Sequence, residues 1–114
     1  MTSQSELFEL LSGELRATAI DLEPYGVHEL AFPITVARLV LDQIVSAGQK
    51  PLGGDLWSRS DDDSYFSPTG ENWYINLPDA EAPADWLSRM RSKAEGFIDR
   101  HRSDSRSFVT FVLA

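Results

Sequence analysis

The chain opens with a segment whose apolar residues recur at helical spacing. Ser3 and Glu6 form the capping-box pattern that commonly starts a helix. The spacing predicts a first helix over about residues 4–19, which Gly13 splits or ends. The apolar stripe of this helix consists of Leu7, Phe8, Leu11 and Leu15.

A second helix is predicted behind Pro33, because proline is favoured at the first position of a helix. Its apolar stripe is wide, which predicts burial over much of the helix surface. Gly48 and then Pro51 mark the end of this helix. The stripe consists of Val36, Ala37, Val40, Leu41, Ile44 and Val45.

Two strands follow, joined by a polar segment. Residues 52–59 are predicted to form a strand, residues 60–70 a loop and residues 72–77 a second strand. Since strands close in sequence pair most simply as a hairpin, we expect these two to be antiparallel. The apolar face of the second strand carries Trp73, Ile75 and Leu77.

The last part of the chain predicts a long helix over residues 84–101 and a strand over residues 108–113. That strand is apolar on both faces, which is typical of an inner strand. The element order predicts an α+β fold, with one domain over residues 1–114 in which three helices pack on a small antiparallel three-stranded sheet. One side of the long helix carries Trp86, Met90, Ala94, Phe97, Ile98 and His101.

Composition restricts the function of this domain. The net charge is −8, and residues 60–88 contain seven acidic residues and no lysine or arginine. Such a surface repels nucleic-acid phosphates, so we expect no nucleic-acid binding, but it can steer a basic protein partner. The absence of cysteine excludes disulfides and cysteine-based zinc sites. We find no secretory signal and no membrane-spanning run, so we expect a cytoplasmic protein without membrane contact.

Candidate chemistry is sparse, and we expect no enzyme activity, no cofactor and no metal site. His28 and His101 are the only histidines, and no nucleophile motif is present. The carboxylates of residues 61–63 are a candidate cation site. An EF-hand loop beginning at residue 61 would need glycine and glutamate where Phe66 and Asn72 stand, so a solvated loop is favoured.

The aromatic residues around the predicted hairpin are more informative. Tryptophan and tyrosine are enriched in binding hot spots, but they are also ordinary core residues. Both interpretations stay open for the cluster as a whole, and Trp73 is assigned to the core. The cluster consists of Trp57, Tyr65, Phe66, Trp73 and Tyr74.

Three segments of the chain together resemble a known family. They are residues 25–32 (YGVHELAF), residues 51–57 (PLGGDLW) and residues 72–74 (NWY), the last followed by an acidic turn and a helix with Trp86. In this order they resemble immunity protein family 40 of the bacterial polymorphic toxin systems, over residues 25–98. The resemblance implies a cytoplasmic antidote that binds and neutralises a toxin domain, and many such toxins are nucleases with basic clefts.

The acidic hairpin loop and its aromatic residues are the surface predicted to bind the toxin. The partner is then a cognate toxin protein, expected to be basic, and the chain is expected to be a monomer before binding. The candidate contact residues are Trp57, Asp61, Asp62, Asp63, Tyr65, Phe66, Glu71, Asp79 and Glu81. A structural signature is expected at Gly53, Gly54, Asp55, Asn72 and Trp73.

Two alternatives from other classes stay open. The chain could be a regulatory or adaptor subunit of a larger complex, which would call for a permanent and more apolar interface. It could also be a small metal-dependent hydrolase that uses the carboxylates of residues 61–63 or Asp55.

Overall fold

The computed structural model describes residues 2–114, and within them the chain forms four helices and six strands. The helices are α1 (Gln4–Leu10), α2 (Gly13–Arg16), α3 (Ala37–Ser46) and α4 (Pro83–His101). The strands are β1 (Ile20–Asp21), β2 (Leu30–Pro33), β3 (Pro51–Arg59), β4 (Phe66–Tyr74), β5 (Ser107–Thr110) and β6 (Val112–Leu113). Short 3-10 turns occupy Glu23–Tyr25 and Ile34–Val36.

All of these strands join one antiparallel sheet in the order β1-β2-β5-β3-β4, with β6 continuing β5 alongside β3. The chain is α+β, but the prediction of a three-stranded sheet with three helices is wrong. The sequence does not reveal β1 and β2, because both are too short to show a period and the apolar run of β2 leads into the stripe of α3. The predicted last strand is interrupted at Phe111, and β5 lies inside the sheet between β2 and β3.

The predicted first helix is in fact two helices. Leu11 takes an extended conformation (φ −83°, ψ 153°), and the Ser12 hydroxyl then caps α2 by accepting a hydrogen bond from the Leu15 backbone. The backbone N–H of Ser12 donates to the side chain of Gln43 in α3 at 2.8 Å. A tertiary contact therefore stabilises the break between α1 and α2. The predicted capping box at the start of α1 is confirmed.

The second predicted helix starts later than expected. Pro33 ends β2 with an extended ψ of 140°, and a 3-10 turn separates it from α3. A proline suits either the end of a strand or the start of a helix, so its position alone could not decide between them.

The hairpin of β3 and β4 is longer than predicted. The second strand begins at Phe66, so the connecting loop covers only residues 60–65. The start of β4 is polar because β4 is an edge strand with most of its side chains in solvent. Leu77 lies beyond the end of β4 and is exposed, whereas Trp73 and Ile75 are buried as predicted.

The β3–β4 pairing contains a bulge on the edge strand. Asn72 pairs with Asp55 and Pro68 pairs with Trp57, so residues 69–71 have a single residue of β3 opposite them. Proline and bulges on an edge strand reduce its ability to pair with a strand of another molecule.

The main core lies between one face of the sheet and the four helices. The predicted apolar side of α4 is buried in it from Trp86 to Ile98, and the indole N–H of Trp86 donates to the Asn76 carbonyl at 2.8 Å. The sheet contributes Phe32, Leu56, Trp73, Val109 and Leu113, and Phe111 joins them from the break between β5 and β6.

Gly53 and Gly54 allow the neighbouring strands to approach β3 closely. A Cβ atom added to Gly54 would lie 2.0 Å from the carbonyl oxygen of Thr110 in β5. One added to Gly53 would lie 2.6 Å from the carbonyl oxygen of Trp73 in β4. Both distances are far below van der Waals contact, so a larger residue at either position requires the backbone to move.

Candidate functional site

The second face of the sheet carries a smaller core at one end. The segment between β1 and β2 folds over this end, and its turn places Gly26 at a φ of 94°, which glycine adopts readily. This minor core consists of Leu22, Ala31, Trp57, Phe66 and Phe108, with Ile20, Tyr25 and Val27 packed against it.

Two of the predicted toxin-binding aromatics lie in the minor core. Trp57 is 5% exposed and Phe66 is 6% exposed. Phe66 meets Tyr25 and Phe108 edge-on, with ring centroids 5.6 and 5.0 Å apart. Trp57 and Phe66 are therefore buried side chains that join the sheet to the segment above it, and their contact with a toxin stays a prediction.

Tyr65 and Tyr74 are the exposed members of the aromatic cluster, at 57% and 68%. Tyr65 packs edge-on against Tyr25, with ring centroids 5.2 Å apart. The Lys93 ammonium lies 5.4 Å from the centroid of the Tyr74 ring and donates to the Tyr74 carbonyl at 3.1 Å. These two tyrosines present the kind of large side chain that binding hot spots use.

The acidic hairpin loop is held by two arginines. Arg106 donates to the backbone carbonyl groups of Ser60 and Asp61, and to the carboxylate of Asp63 at 3.2 Å. Arg106 Nε also lies 3.4 Å from the Asp61 carboxylate, and Arg59 Nε lies 3.2 Å from that of Asp63. Two positive charges therefore offset much of the negative charge that the sequence shows in this loop.

Asp62 organises the turn from within the loop. Its carboxylate accepts hydrogen bonds from the Ser64 hydroxyl at 2.6 Å, the Ser60 hydroxyl at 2.7 Å and the Ser64 backbone at 3.1 Å. These bonds, those from the Ser64 and Ser60 hydroxyls first, lower the pKa of Asp62 to about 2, so the carboxylate is ionised at neutral pH. The next residue, Asp63, has a φ of 62°. The loop therefore has one defined shape.

Replacing Arg106 with alanine is expected to release this loop. The variant loses hydrogen bonds to two carbonyl groups and contacts with two carboxylates. Because the arginine is partly exposed, we expect a loss of only about 1–2 kcal/mol in the free energy of unfolding. Backbone amide exchange at residues 60–65 should become faster, which hydrogen-exchange mass spectrometry measures.

The control for Arg106 is Arg102→Ala. Arg102 is well exposed and, among residues 2–114, pairs only with Asp99, at 3.7 Å. Its removal should change neither stability nor loop exchange. Unchanged exchange in the Arg106 variant would show that the loop keeps its shape without the arginine.

The remaining predicted contact residues are spread along α4. Glu71, in the bulge of β4, lies 3.6 Å from Nε2 of His101 at the end of α4. Glu81 pairs with Arg89 near the start of α4, and this hydrogen bond raises the Arg89 pKa. Asp79 is exposed in the loop before α4. Since Glu71 and Glu81 stand near opposite ends of a 19-residue helix, they do not form one patch.

The other end of the second sheet face is open to solvent. Side chains alternate across a sheet, and Leu30, Leu56, Trp73 and Leu113 all point into the main core. Their neighbours in sequence therefore point the opposite way. This open face consists of Glu29, Asp55, Asn72, Tyr74 and Val112, of which the last three are exposed.

An acidic groove of about 350 Å³ adjoins the open face at Glu29. It lies between α1 and the segment that precedes β2. Among residues 2–114, the carboxylates of this groove form no ion pair with a lysine or arginine. The charged and titratable residues that line it are Glu9, Asp21, Glu23, His28 and Glu29.

Among these groups, Glu29 is the one with a buried oxygen that lacks a hydrogen-bond donor within residues 2–114. Its Oε2 atom is buried and accepts no hydrogen bond from the described residues. Burial raises the pKa of the Glu29 carboxyl group and the charge of Asp55 raises it further, while a hydrogen bond from Thr110 opposes both. The Thr110 hydroxyl also accepts from the Asp55 backbone at 3.0 Å. In the sequence, Glu29 is a polar residue before an apolar run, and nothing there indicates that its carboxyl group is partly buried beside Asp55.

Within residues 2–114, no three His, Asp or Glu side chains are arranged to hold a metal ion. His101 packs edge-on against Phe97, with ring centroids 5.1 Å apart. No helix in the described part of the chain has the length and apolar character needed to cross a membrane.

The fold and site define a small α+β protein whose sheet is covered by helices on one face and half covered on the other. The chain belongs to the immunity protein 40 family, whose family model matches residues 21–113. The match includes β2 to β6, α3 and α4, leaves out α1 and α2, and confirms the resemblance. Neither the curated proteins nor the solved structures contain a significant match to this chain.

Proposed function

We propose that this protein is the antidote of a bacterial polymorphic toxin system and neutralises a cognate toxin by binding it in the cytoplasm. The observation that carries the proposal is the family match over residues 21–113. Neutralisation by binding needs a rigid, complementary surface and no catalytic group of its own.

The charge of the chain supports a basic toxin as the partner. A net charge of −8 attracts a basic surface, which mainly raises the rate of association. Nuclease toxins fit this charge best, because an enzyme that binds phosphate backbones commonly carries a basic cleft.

The hairpin loop of residues 60–65 is proposed as one contact with the toxin. The Asp61 side chain is fully exposed, and the exposed Tyr65 ends the loop just before β4. Because Arg106 and Asp62 already fix the loop, binding would cost little further ordering of the chain.

The proposal is tested by purifying the affinity-tagged protein from the bacterium that encodes it and identifying co-purifying proteins by mass spectrometry. We expect a protein with a toxin domain in equimolar amount. Co-expression of the chain with that toxin should restore growth of the host cell. The matched control is Gly54→Ala, which the 2.0 Å approach to Thr110 should unfold and so render ineffective.

Two results would contradict the proposal. One is a co-purifying toxin whose inhibition of growth is unchanged by the chain. The other is a housekeeping complex as the sole partner, which would instead support the adaptor role.

A further inference from the structure

We infer that the toxin docks on the open face of the sheet and places a lysine or arginine side chain between the carboxylates of Glu29 and Asp55. This inference rests on the proposed function and specifies the surface and the chemistry of its partner.

The first argument is the distribution of paired and unpaired acids. In the hairpin loop, Asp61 and Asp63 already lie beside Arg106 or Arg59. Among residues 2–114, no lysine or arginine forms an ion pair with Glu29 or Asp55. An external cation therefore gains more at the open face, where it meets no competing arginine.

The second argument is that Glu29 is held in an unfavourable state. Its buried Oε2 atom has no hydrogen-bond donor among the described residues, and the second carboxylate nearby adds repulsion. A guanidinium or ammonium group beside this carboxylate supplies the missing positive charge. Binding would then lower the pKa of Glu29, the reverse of the effect that burial has in the free protein.

The third argument is the pair of exposed apolar side chains on the open face. Gly53 pairs with Tyr74 on one side and with Val112 on the other, so these two side chains lie on the same face of the sheet. Both side chains are exposed. The aliphatic stem of a lysine or arginine can pack against them while its charged end reaches a carboxylate.

The face is also fixed in position, which favours a specific contact. Thr110 is fully buried, and its hydroxyl accepts a hydrogen bond from the Asp55 backbone at 3.0 Å. Asp55 lies within β3 and Glu29 directly precedes β2, so both carboxylates are positioned by the sheet.

The first test uses an oligo-arginine peptide as the probe and follows backbone amide shifts of the whole chain by NMR at low ionic strength. We expect the largest shifts at Gly53, Asp55, Tyr74 and Val112. Oligo-glutamate of the same length is the peptide control and should cause no shifts there. Largest shifts at residues 60–65 would overturn the inference.

Variants then separate a specific contact from general attraction. The double variant Glu29→Gln and Asp55→Asn should weaken peptide binding by about fivefold or more. The matched control, Glu14→Gln and Asp85→Asn, removes the same charge from exposed helix positions and should have a much smaller effect. Asp55→Lys should block the peptide, because it places a cation beside Glu29. Equal weakening by both double variants would overturn the inference.

A second test uses the toxin recovered by the tagged protein. The Glu29 and Asp55 double variant should release the toxin faster and protect cells less, while its melting temperature stays at or above that of the original chain. Toxin binding that is unchanged in this variant would refute the docking surface and leave the antidote role intact. If the original chain bound no toxin, the proposed function would fail. The peptide result would still show whether the open face binds a cationic side chain.

Discussion

Replacing Gly54 with alanine is expected to lower the free energy of unfolding by more than about 3 kcal/mol. The added methyl group would lie 2.0 Å from the Thr110 carbonyl oxygen and 3.2 Å from the indole nitrogen of Trp73. The carbonyl oxygen belongs to the backbone of β5, so no side-chain rotation can relieve the clash. The strands must separate, which breaks the ladder at the centre of the sheet. Urea denaturation followed by circular dichroism measures the loss.

Gly96→Ala is the matched control for this substitution. Gly96 lies within α4, and a Cβ atom there has no neighbour within 4 Å. Alanine should therefore stabilise the protein by about 0.5–1 kcal/mol through its higher helix propensity. A Gly54 variant as stable as the original chain would show that β3 and β5 can separate without cost.

Replacing Trp57 with alanine is expected to cost about 3–5 kcal/mol, as for a large aromatic residue removed from a core. Trp57 is 5% exposed and packs in the minor core beneath the segment between β1 and β2. Its loss should also free that segment, which would show as faster amide exchange at residues 21–28. Thermal and urea denaturation give the change in stability.

Two further variants decide whether Trp57 belongs to the core or to the interface. Trp57→Phe should cost less than alanine, because the indole Nε1 has no hydrogen-bond partner among the described residues and phenylalanine keeps most of the volume. Tyr65→Ala, at an exposed position, should change stability by less than about 0.5 kcal/mol. If Trp57→Ala left stability unchanged and weakened toxin binding, the original interpretation of Trp57 as an anchor would be right.

The sequence predicts those elements that are long enough for their apolar residues to show a helix or strand period. The helix α4 has 19 residues with a regular apolar side, and β3 has nine residues before a polar loop. The strands β1 and β2 have two and four residues, so no period can be recognised. The first half of β4 is polar because it is an exposed edge. Since a polar run without Trp or Ile is typical of a loop, the sequence predicts a loop where β4 begins.

The candidate site was harder to predict because it depends on contacts between distant segments. Trp57 is buried only because the segment of residues 21–28 folds over it. Arg106 reaches the acidic loop from just before β5, and nothing in the local sequence indicates that pairing. Glu29 and Asp55 become neighbours only through the position of β5 between β2 and β3.

The place of β5 in the sheet bears on how the protein becomes active in a growing cell. It separates two strand pairs, β1–β2 and β3–β4, and it follows all four strands in the chain. A ribosome must therefore complete residues 107–110 before the two halves can join, and long-range pairing of this kind is slow. In the proposed antidote role, unfinished chains would give no protection, so a cell exposed to a toxin would rely on molecules that were synthesised earlier.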